Sequence, residues 1–436
     1  MAGSRLSCLA VAILICCAGA HAGERSIEDR VISLSSLPSI GLVLDHLRRH
    51  DDLSLREQRE LAEIPAPPFK EARRARDFQA RLRAIGLDAR IDGEGNVVAR
   101  RPGIGSPSGP ALILSAHLDT VFPEGTDVKV KARGDRLYGP GLADDARGLA
   151  VVIAVARALE ETGTTTIGDI LFVGTVGEEG EGDLRGVKAI LRDHSDIDGF
   201  ISVDGIDLSR IVSRGTASRR WRIDFAGEGG HSFIDFGRPS AVHAMGRVIA
   251  AIGDLRPPRE PRTTFTVGVA KGGTSVNSIA GEAAIEIDLR SDSAAHLKVL
   301  EAEVMAAVDV GVDAENERWG SAKITATRTL IGDRPGGATP DDAAIVKVAL
   351  AAATIGGQKP TLVNSSTDSN VPIAKGIPAV TLPGGGDGGD FHSLGEWYKP
   401  EASWLGAQRV ALTVLSLVGV EGADDPLLKK REGAGF

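Results

Sequence analysis

The sequence predicts an α/β fold with a mostly parallel central sheet and a second, smaller domain inserted into it. Two observations carry this prediction. Between about residues 95 and 215, short β-rich runs alternate with helical patterns, an order typical of a parallel, buried sheet. Between about 216 and 330 the order changes to β-α-β-β-α-β, a ferredoxin-like unit, and the first pattern then returns.

The first elements are predicted to be helices over residues 27 to 86, where apolar side chains recur at helical spacing. The strands NVVAR and ALILSAH follow. A helix from Ala146 to Glu160 separates them from the strands ILFVGTV and FISVD. Each of these strands is short and rich in β-branched or apolar residues, as buried strands are.

The inserted unit begins with the strand RRWRIDFAG and a helix from Pro239. The strands TTFTVGVA and GEAAIEIDLR, a helix from about Ser293 to Val312 and the strand AKITATRT complete it. A helix from Asp341, the strand PAVTL and a final helix resume the first pattern. We therefore predict a discontinuous main domain, residues 27–215 and 331–436, and an inserted domain, residues 216–330.

The first 22 residues have the pattern of a cleavable signal peptide. Arg5 gives a positive start, an apolar run extends from Leu6 to Ala18, and Ala20-His21-Ala22 has the small-x-small form of a cleavage site. The apolar run is too short to span a bilayer as a helix. We therefore expect export to a periplasm or to the medium, and the alternative is a buried N-terminal helix.

The composition excludes several kinds of chemistry. All three cysteines, Cys8, Cys16 and Cys17, lie within the predicted leader, so the mature chain would have no disulfide, no cysteine nucleophile and no cysteine-bound metal. The net charge is −9, and loss of Arg5 with the leader makes it −10. This acidic balance disfavours nucleic acid and anionic lipid as partners.

Side chains that commonly bind metal ions stand at the ends of predicted strands or on the loops after them. They are His117, Asp144, Glu179, Asp204 and His392, and Glu178 beside Glu179 could serve as a base. Because an open α/β sheet presents its site at the carboxyl edge, we expect them to lie together. Two imidazoles and three carboxylates suit zinc and offer enough oxygen to bridge two ions. The pattern predicts a two-metal hydrolase.

His117 and Asp119 form an H-x-D pair at the end of a strand. Residues two apart on an extended chain face the same way, so the Asp119 carboxylate is predicted to accept from the second imidazole nitrogen and to orient the ring. The alternative is a polar cap on the strand. For Asp144 the alternative is a helix N-cap, a role that Asp145 could also take.

Glu178 and Glu179 follow a fully apolar strand, where two adjacent acids are costly unless a cation compensates them. Neighbours on an irregular loop point in different directions. One could therefore bind metal while the other faces the bound water. The alternative is a solvated acidic loop, since Glu181 and Asp183 follow closely.

Six motifs occur in one order along the chain: S-A-H-L-D-T-V, Y-G-P-G-L-A-D-D, T-V-G-E-E-G, G-G-H-S, G-G-T-S-V-N-S-I and D-L-R-S. With them, residues 60 to 420 resemble the co-catalytic zinc peptidases and amidohydrolases typified by peptidase T, carboxypeptidase G and acetylornithine deacetylase. The resemblance implies two zinc ions per subunit, with Co²⁺ or Mn²⁺ as possible replacements.

The resemblance also implies a role for each residue of the centre. Asp144 would bridge the two ions, His117 and Asp204 would complete one site, and Glu179 and His392 would complete the other. Asp119 would orient His117, and Glu178 would be the general base for the metal-bridging water.

For the inserted domain the resemblance implies a lid that also forms a homodimer. His231, in E-G-G-H-S-F, would bind the tetrahedral oxyanion, commonly from the partner subunit. Asn277 and Arg290 match positions that contact substrate, and the alternatives are a turn residue and a strand-end ion pair. The family often has Lys two residues after the bridging Asp, where this chain has Ala146 followed by Arg147. This departure bears on the subfamily more than on catalysis.

The resemblance favours one substrate class. At the position of Asp204 the family has Asp in aminopeptidases and dipeptidases, and Glu in carboxypeptidases and deacylases. Together with the G-G-T-S-V-N-S-I stretch, this favours peptidase T-like hydrolysis of short peptides with a free amino terminus. The alternatives are a carboxypeptidase G-like enzyme or an N-acyl-amino-acid amidohydrolase. A non-catalytic binding protein on the same scaffold would lack a ligand or the base, and none is missing here.

Overall fold

The computed structural model of the chain describes residues 25–320 and 323–431. The predicted signal peptide lies outside the described residues. Among the helices that are described, none combines the length and the apolar character that a membrane crossing needs.

Four helices open the described chain, as the sequence predicts: α1 (Ile27–Ser35), α2 (Pro38–Arg49), α3 (Asp51–Ala62) and α4 (Ala72–Ala84). The Ser26 hydroxyl caps α1 by accepting from the Asp29 N–H at 3.0 Å. Pro38 begins α2, where a missing N–H and a fixed φ suit the first turn.

Strands and helices then alternate as far as residue 215. They are β1 (Ala89–Ile91), β2 (Val97–Arg101), β3 (Ala111–His117), β4 (Lys131–Arg133), β5 (Arg136–Tyr138), α5 (Ala146–Glu161), β6 (Asp169–Thr175), α6 (Arg185–Asp193), β7 (Gly199–Val203) and β8 (Arg210–Gly215). A single 3₁₀ turn, Gly180–Gly182, lies between β6 and α6.

The chain then forms a second body before it returns. This body contains β9 (Ala217–Ala226), β10 (Gly230–His231), α7 (Ala241–Gly253), β11 (Thr263–Gly272), β12 (Ser278–Ile279), β13 (Glu282–Ser291), α8 (Ala294–Trp319) and β14 (Thr325–Arg334). The returning segment contains β15 (Gly337–Ala338), α9 (Ala344–Ile355), β16 (Thr361–Ser365), α10 (Asn370–Ala374), β17 (Ala379–Leu382), β18 (Asp387–Gly389), β19 (Trp397–Lys399) and α11 (Trp404–Val418).

The central sheet is mixed, with a parallel core. Its strand order is β1-β2-β6-β3-β7-β17-β8-β15, and β16 pairs with β8. The inner strands β6, β3, β7 and β17 run parallel and are buried along their whole length, which explains their continuous apolar sequences. His117 is the last residue of β3, and Asp204 directly follows β7. The carboxyl edge of these strands therefore carries the predicted ligands.

Helices cover both faces of this sheet. One apolar core joins it to α1–α5, α9 and α11, and a second, smaller core joins the other face to α6 and α10. The second body has its own core, in which α7 and α8 pack on one face of a four-stranded antiparallel sheet ordered β11-β13-β9-β14. The alternating burial along β13 reflects this one-sided packing.

Two elements extend further than the sequence predicts. Helix α8 continues past Val312 to Trp319, where Gly320 adopts a left-handed conformation and ends it. The added turns lack an apolar stripe and are held instead by polar contacts, because buried Glu315 accepts from the Ser240 N–H at 3.0 Å. Strand β14 continues past residue 330 to Arg334 by pairing with β9.

We expect Phe172→Ala, on the buried strand β6, to lower the free energy of unfolding by about 3–5 kcal/mol, since it leaves a cavity in the sheet. Ile104→Ala is the matched control, because Ile104 is 59% exposed and should change stability by less than about 0.5 kcal/mol. Urea denaturation of both variants measures the difference. Equal midpoints would contradict the position of Phe172 in the core.

Candidate metal centre

The predicted ligands gather at the carboxyl edge of the central sheet. A cleft of about 540 Å³ is lined there by Asp144, Glu178, Glu179, Asp204 and His392, among others. Asp144 comes from the turn before α5, the two glutamates follow β6, Asp204 follows β7, and His392 comes from the loop between β18 and β19. His117 reaches the same place from the end of β3. One edge of the sheet thus collects side chains from five separate segments.

Asp144 occupies the middle of the group. Its Oδ1 lies 3.0 Å from His117 Nε2, and its Oδ2 lies 3.0 Å from His392 Nε2. The same nitrogen of His392 lies 3.0 Å from Glu179 Oε1. Donor atoms of His117, Asp144 and Glu179 all fall within 4.8 Å of one another. Each oxygen of one carboxylate therefore faces a different imidazole, which is the arrangement of a bridging ligand.

The crowding of buried carboxylates in this group favours the binding of cations. Burial opposes ionisation of Asp144, but hydrogen bonds with His117 and His392 lower the pKa of its carboxyl below the usual value. Hydrogen bonds to Asp144 and Glu179 raise the pKa of His392 to about 10. Burial and the charge of Asp144 raise the pKa of Asp204 to about 7. Acids crowded into a buried place repel one another unless positive charge is supplied.

The two adjacent glutamates face different partners. Glu179 contacts His392, whereas Glu178 Oε1 accepts from Arg334 Nη1 at 3.1 Å. Burial raises the pKa of Glu178 well above its usual value, the Arg334 guanidinium opposes this shift, and the charge of Glu179 adds to it. Bound cations would favour the ionised form. The geometry separates a ligand position from a position suited to proton transfer.

Arg334 was not found from the sequence. It stands at the end of β14 in the segment GDRPGG, and no local pattern distinguishes it from a solvated arginine. Its second terminal nitrogen donates to the backbone carbonyl of Glu178. Because β14 belongs to the second body, this contact links that body directly to the predicted base.

Asp119 has further partners besides the imidazole that the sequence predicts for it. Its carboxylate accepts from the N–H groups of Glu178 at 2.9 Å and Glu179 at 2.7 Å. His117 Nδ1 lies 3.1 Å from the backbone carbonyl oxygen of Asp119 and 3.7 Å from its carboxylate. The carbonyl is therefore the nearer acceptor for the imidazole, and the carboxylate fixes the glutamate loop. Backbone geometry of this kind cannot be deduced from an H-x-D spacing.

Asp145 takes the helix-capping role and leaves Asp144 free. Its Oδ1 accepts from the Gly148 N–H at 2.9 Å, and its Oδ2 accepts from the His117 N–H at 3.0 Å. The peptide bond between Asp144 and Asp145 is cis. The N-cap alternative therefore applies to the second of the two acids.

A buried glutamate that the sequence did not single out holds the Asp144 loop. Glu396 is fully buried, and its carboxylate accepts from the N–H groups of Gly141 at 2.9 Å, Ala143 at 2.8 Å and Asp144 at 3.2 Å. Burial raises its pKa to about 7. Glu396 follows His392 by four residues, so it joins the loops of two predicted ligands.

Arg290 lines the cleft, and its Nε donates to Asp288 at 2.6 Å, so it also makes the strand-end ion pair of the alternative interpretation. His231 and Asn277 are exposed on the second body and are not among the described residues that line the cleft. The Asn277 side-chain oxygen accepts from the Ser275 hydroxyl at 2.6 Å. Of these three predicted residues, a single chain therefore brings Arg290 to the site and leaves His231 and Asn277 outside it.

The donor set fits two cations. Imidazole nitrogens and carboxylate oxygens are the usual ligands of zinc, and a carboxylate that faces both halves of the group suits a pair of ions. A base position stands beside the group, in the same cleft. A sheet with a parallel core and such a group at its carboxyl edge is typical of the class of dinuclear metal hydrolases.

The comparisons with known proteins agree with this class. The chain belongs to the peptidase family M20/M25/M40, whose model matches residues 113–416. It is therefore a metal-dependent hydrolase of the metallopeptidase and amidohydrolase type, as the motif resemblance predicted. Carboxypeptidase G2 of Pseudomonas sp. (strain RS-16) is 27% identical over 314 residues, which cover 68% of this chain and 71% of that protein.

Solved structures show the same fold. A tripeptidase from Staphylococcus aureus superposes with a TM-score of 0.70 at 24% identity and covers 84% of this chain and 97% of its own. A Bacillus subtilis peptidase of the M20 family, described as dinuclear and metal-binding, superposes with a TM-score of 0.62 at 16% identity, over 85% of this chain and 99% of its own.

We expect Glu396→Gln to weaken metal binding by about 10–100-fold, because an amide cannot accept all three N–H groups that hold the Asp144 loop. Competition with a chelator measures the affinity. Glu401→Gln is the control, since Glu401 is 67% exposed and pairs only with Lys399 among the described residues. Unchanged metal affinity in Glu396→Gln would show that the loop does not depend on this carboxylate.

Proposed function

We propose that the chain is an exported di-zinc peptidase that hydrolyses amide bonds of short peptides. The observation that carries the proposal is the geometry of Asp144, whose two oxygens each face a different imidazole, with Glu178 in the same cleft. Export rests on the signal-peptide pattern of residues 1–22. Zinc rests on the two imidazoles among the ligands, and Co²⁺ or Mn²⁺ would fit the same donors.

Five side chains would hold the two ions. Asp144 would bridge them, His117 and Asp204 would complete one site, and Glu179 and His392 would complete the other. When bound, two such ions polarise a carbonyl group and lower the pKa of water.

Glu178 moves the proton. Its Oε1 is engaged by Arg334 at 3.1 Å, which leaves Oε2 to accept a proton from the attacking water and to deliver it to the leaving nitrogen. The Asp119 carboxylate accepts from the backbone N–H groups of both glutamates and so fixes the position of the base relative to its neighbour.

The cleft also has features that suit a substrate carboxylate. Three further guanidinium groups line it, those of Arg210, Arg220 and Arg290. Once bound cations balance the acids of the centre, these groups leave a positive potential. Arg220 and Arg290 share Asp288, and Arg210 makes no side-chain ion pair among the described residues. Such a cleft favours a peptide that carries a free carboxylate.

The proposed preference for a free amino terminus rests on Asp204, because the resemblance associates an Asp at this position with aminopeptidases and dipeptidases. A carboxypeptidase G-like or N-acyl-amino-acid amidohydrolase activity is the second candidate. It is supported by the arginines of the cleft and by the identity to carboxypeptidase G2.

A substrate screen tests the proposal. Di- and tripeptides, free or blocked at each terminus, are compared with N-acyl amino acids, before and after treatment with a chelator. The proposal expects turnover of peptides with free termini and its loss on chelation. Turnover of N-acyl amino acids alone would favour the second candidate, and metal binding without turnover of any substrate would favour a binding protein.

The proposal extends to residues 216–330 as a lid and dimerisation domain. His231 Nδ1 accepts from two backbone N–H groups, at 3.2 and 3.3 Å, so its Nε2 carries the proton and can donate to an oxyanion. It lies outside the cleft of its own chain. Large apolar side chains around it are exposed by 77–103%, which suits contact with a second copy: Phe233, Ile234, Phe236 and Val276.

We expect mixed chains to complement one another. His231→Ala and Glu178→Ala are each inactive alone, but a mixed dimer would contain one centre with an intact base and an intact His231 from the neighbour. Mixing the two variants should therefore restore part of the activity. Sedimentation of the wild-type enzyme gives the control, and an active monomer would contradict the shared site.

We expect the two adjacent glutamates to differ on substitution. Glu178→Gln keeps the side-chain volume and all five ligands, so both zinc ions should remain while kcat falls by about 10²–10⁴ and KM changes little. Glu179→Gln removes a ligand, so one zinc should bind more weakly and excess zinc should restore part of the activity. Metal content by mass spectrometry, with turnover, separates the two. Loss of zinc from Glu178→Gln alone would reverse the assignment.

A further inference from the structure

A second group of metal-binding side chains lies far from the cleft, where the carboxyl ends of α2 and α5 meet. His46, His50 and Glu161 bring donor atoms within 4.8 Å of one another. Helix α5 is 16 residues long, so about 24 Å separates this group from Asp145 at the other end of the helix. We propose that His46, His50 and Glu161 form an additional transition-metal site, independent of the catalytic centre.

The spacing of the donors fits ligands of one ion. His46 Nε2 lies 2.8 Å from Glu161 Oε2, close to the 3.0 Å between His392 and Asp144 in the catalytic centre. Two ligands that each lie about 2 Å from a zinc ion are about 3.3 Å apart in a tetrahedron. An ion would therefore widen this contact, and the exposed Glu161 side chain is the one that is free to move.

A hydrogen bond prepares His50 for coordination. Its Nδ1 lies 2.9 Å from the backbone carbonyl oxygen of His46 and must donate to it, so in the neutral ring Nε2 has the free lone pair that a metal ion needs. Metal-bound histidines usually donate their other nitrogen to a carbonyl or a carboxylate in this way. The two imidazoles are four residues apart and stack with centroids 4.0 Å apart, so they share one side of the chain.

The surroundings favour a positive ion. Glu161 is the last residue of α5, where the helix dipole is negative and an acid is unfavourable without a compensating cation. His50 is both the C-cap of α2 and the N-cap of α3, so the two helix dipoles offset each other there and the negative end of α5 is the one that counts. The neighbouring guanidinium groups have other partners, since Arg157 donates to Glu57 at 2.6 Å and Arg49 pairs with Asp45 at 2.8 Å.

The donor types set the ion class. Two imidazole nitrogens and one carboxylate oxygen suit Zn²⁺, Ni²⁺ or Cu²⁺, not Mg²⁺ or Ca²⁺. Because His50 and Glu161 are exposed, water can fill the remaining positions. An ion held here would join the ends of α2 and α5, and it would raise the stability of the folded chain by mass action.

Zinc content tests the proposal on the full chain. After the catalytic centre is saturated, equilibrium dialysis against Zn²⁺ alone should give one more ion per wild-type chain than per His50→Gln or Glu161→Gln chain. Peptide turnover should be the same in all three, because neither substitution touches the cleft. His296→Gln is the matched control, since this exposed histidine lies on α8 with a serine as its side-chain partner. It should bind as much zinc as the wild type.

The unfolding temperature gives a second test that does not depend on counting bound zinc ions. Added Zn²⁺ should raise the unfolding temperature of the saturated wild type and of His296→Gln, but not of His50→Gln. Equal zinc content in the wild type and both site variants would overturn the proposal. An equal loss of zinc in His296→Gln would also overturn it, since binding would then reflect scattered surface histidines. Neither result depends on which substrate the enzyme hydrolyses.

Discussion

The carboxylate of Asp144 is the contact on which the metal centre depends, because within residues 25–320 and 323–431 it is the one group that touches both imidazoles. Its place is determined by backbone hydrogen bonds more than by its own side chain. Asp145 caps α5 and binds the His117 N–H, while Glu396 holds the preceding loop through three N–H groups. A carboxylate so close to other acids is costly to position. The hydrogen bonds that Asp145 and Glu396 accept from backbone N–H groups hold it in place. The parallel core of the central sheet supplies the frame for all of them.

The departure from the family pattern at Ala146 and Arg147 has a structural explanation. Arg147 is fully buried and donates to the carbonyl oxygens of Gly384 at 2.9 Å and Ser403 at 2.7 Å. Gly384 begins the Gly-rich segment that leads toward His392. Arg147 thus supports the loop that carries His392 from its buried side, and it is not among the described residues that line the cleft. A substitution beside a catalytic motif need not change the chemistry when the new side chain serves the scaffold.

His117, Glu179 and Asp204 were predictable from the sequence because each ends or follows an apolar strand, and parallel strands present their carboxyl ends together. His117 and Asp204 are recognisable in this local way. Glu396 and Arg334 are not, since their partners Asp144 and Glu178 lie 252 and 156 residues away and no periodic pattern links them. The last turns of α8 were missed for a related reason: polar contacts with Ser240 hold them in place of an apolar stripe.

Arg334 is the last residue of β14, the strand by which the second body returns to the main domain. From there it donates a hydrogen bond to Glu178, the predicted base. The other connection, between β8 and β9, lies at residues 215–217. If the second body swings about these two connections, displacement grows with distance from the axis. Arg334 stands at the pivot and would move little, whereas the exposed loop around His231 would travel far. Opening and closing would thus move the loop around His231 relative to the cleft. The contact between Arg334 and Glu178, and with it the charge environment of the base, would stay nearly constant.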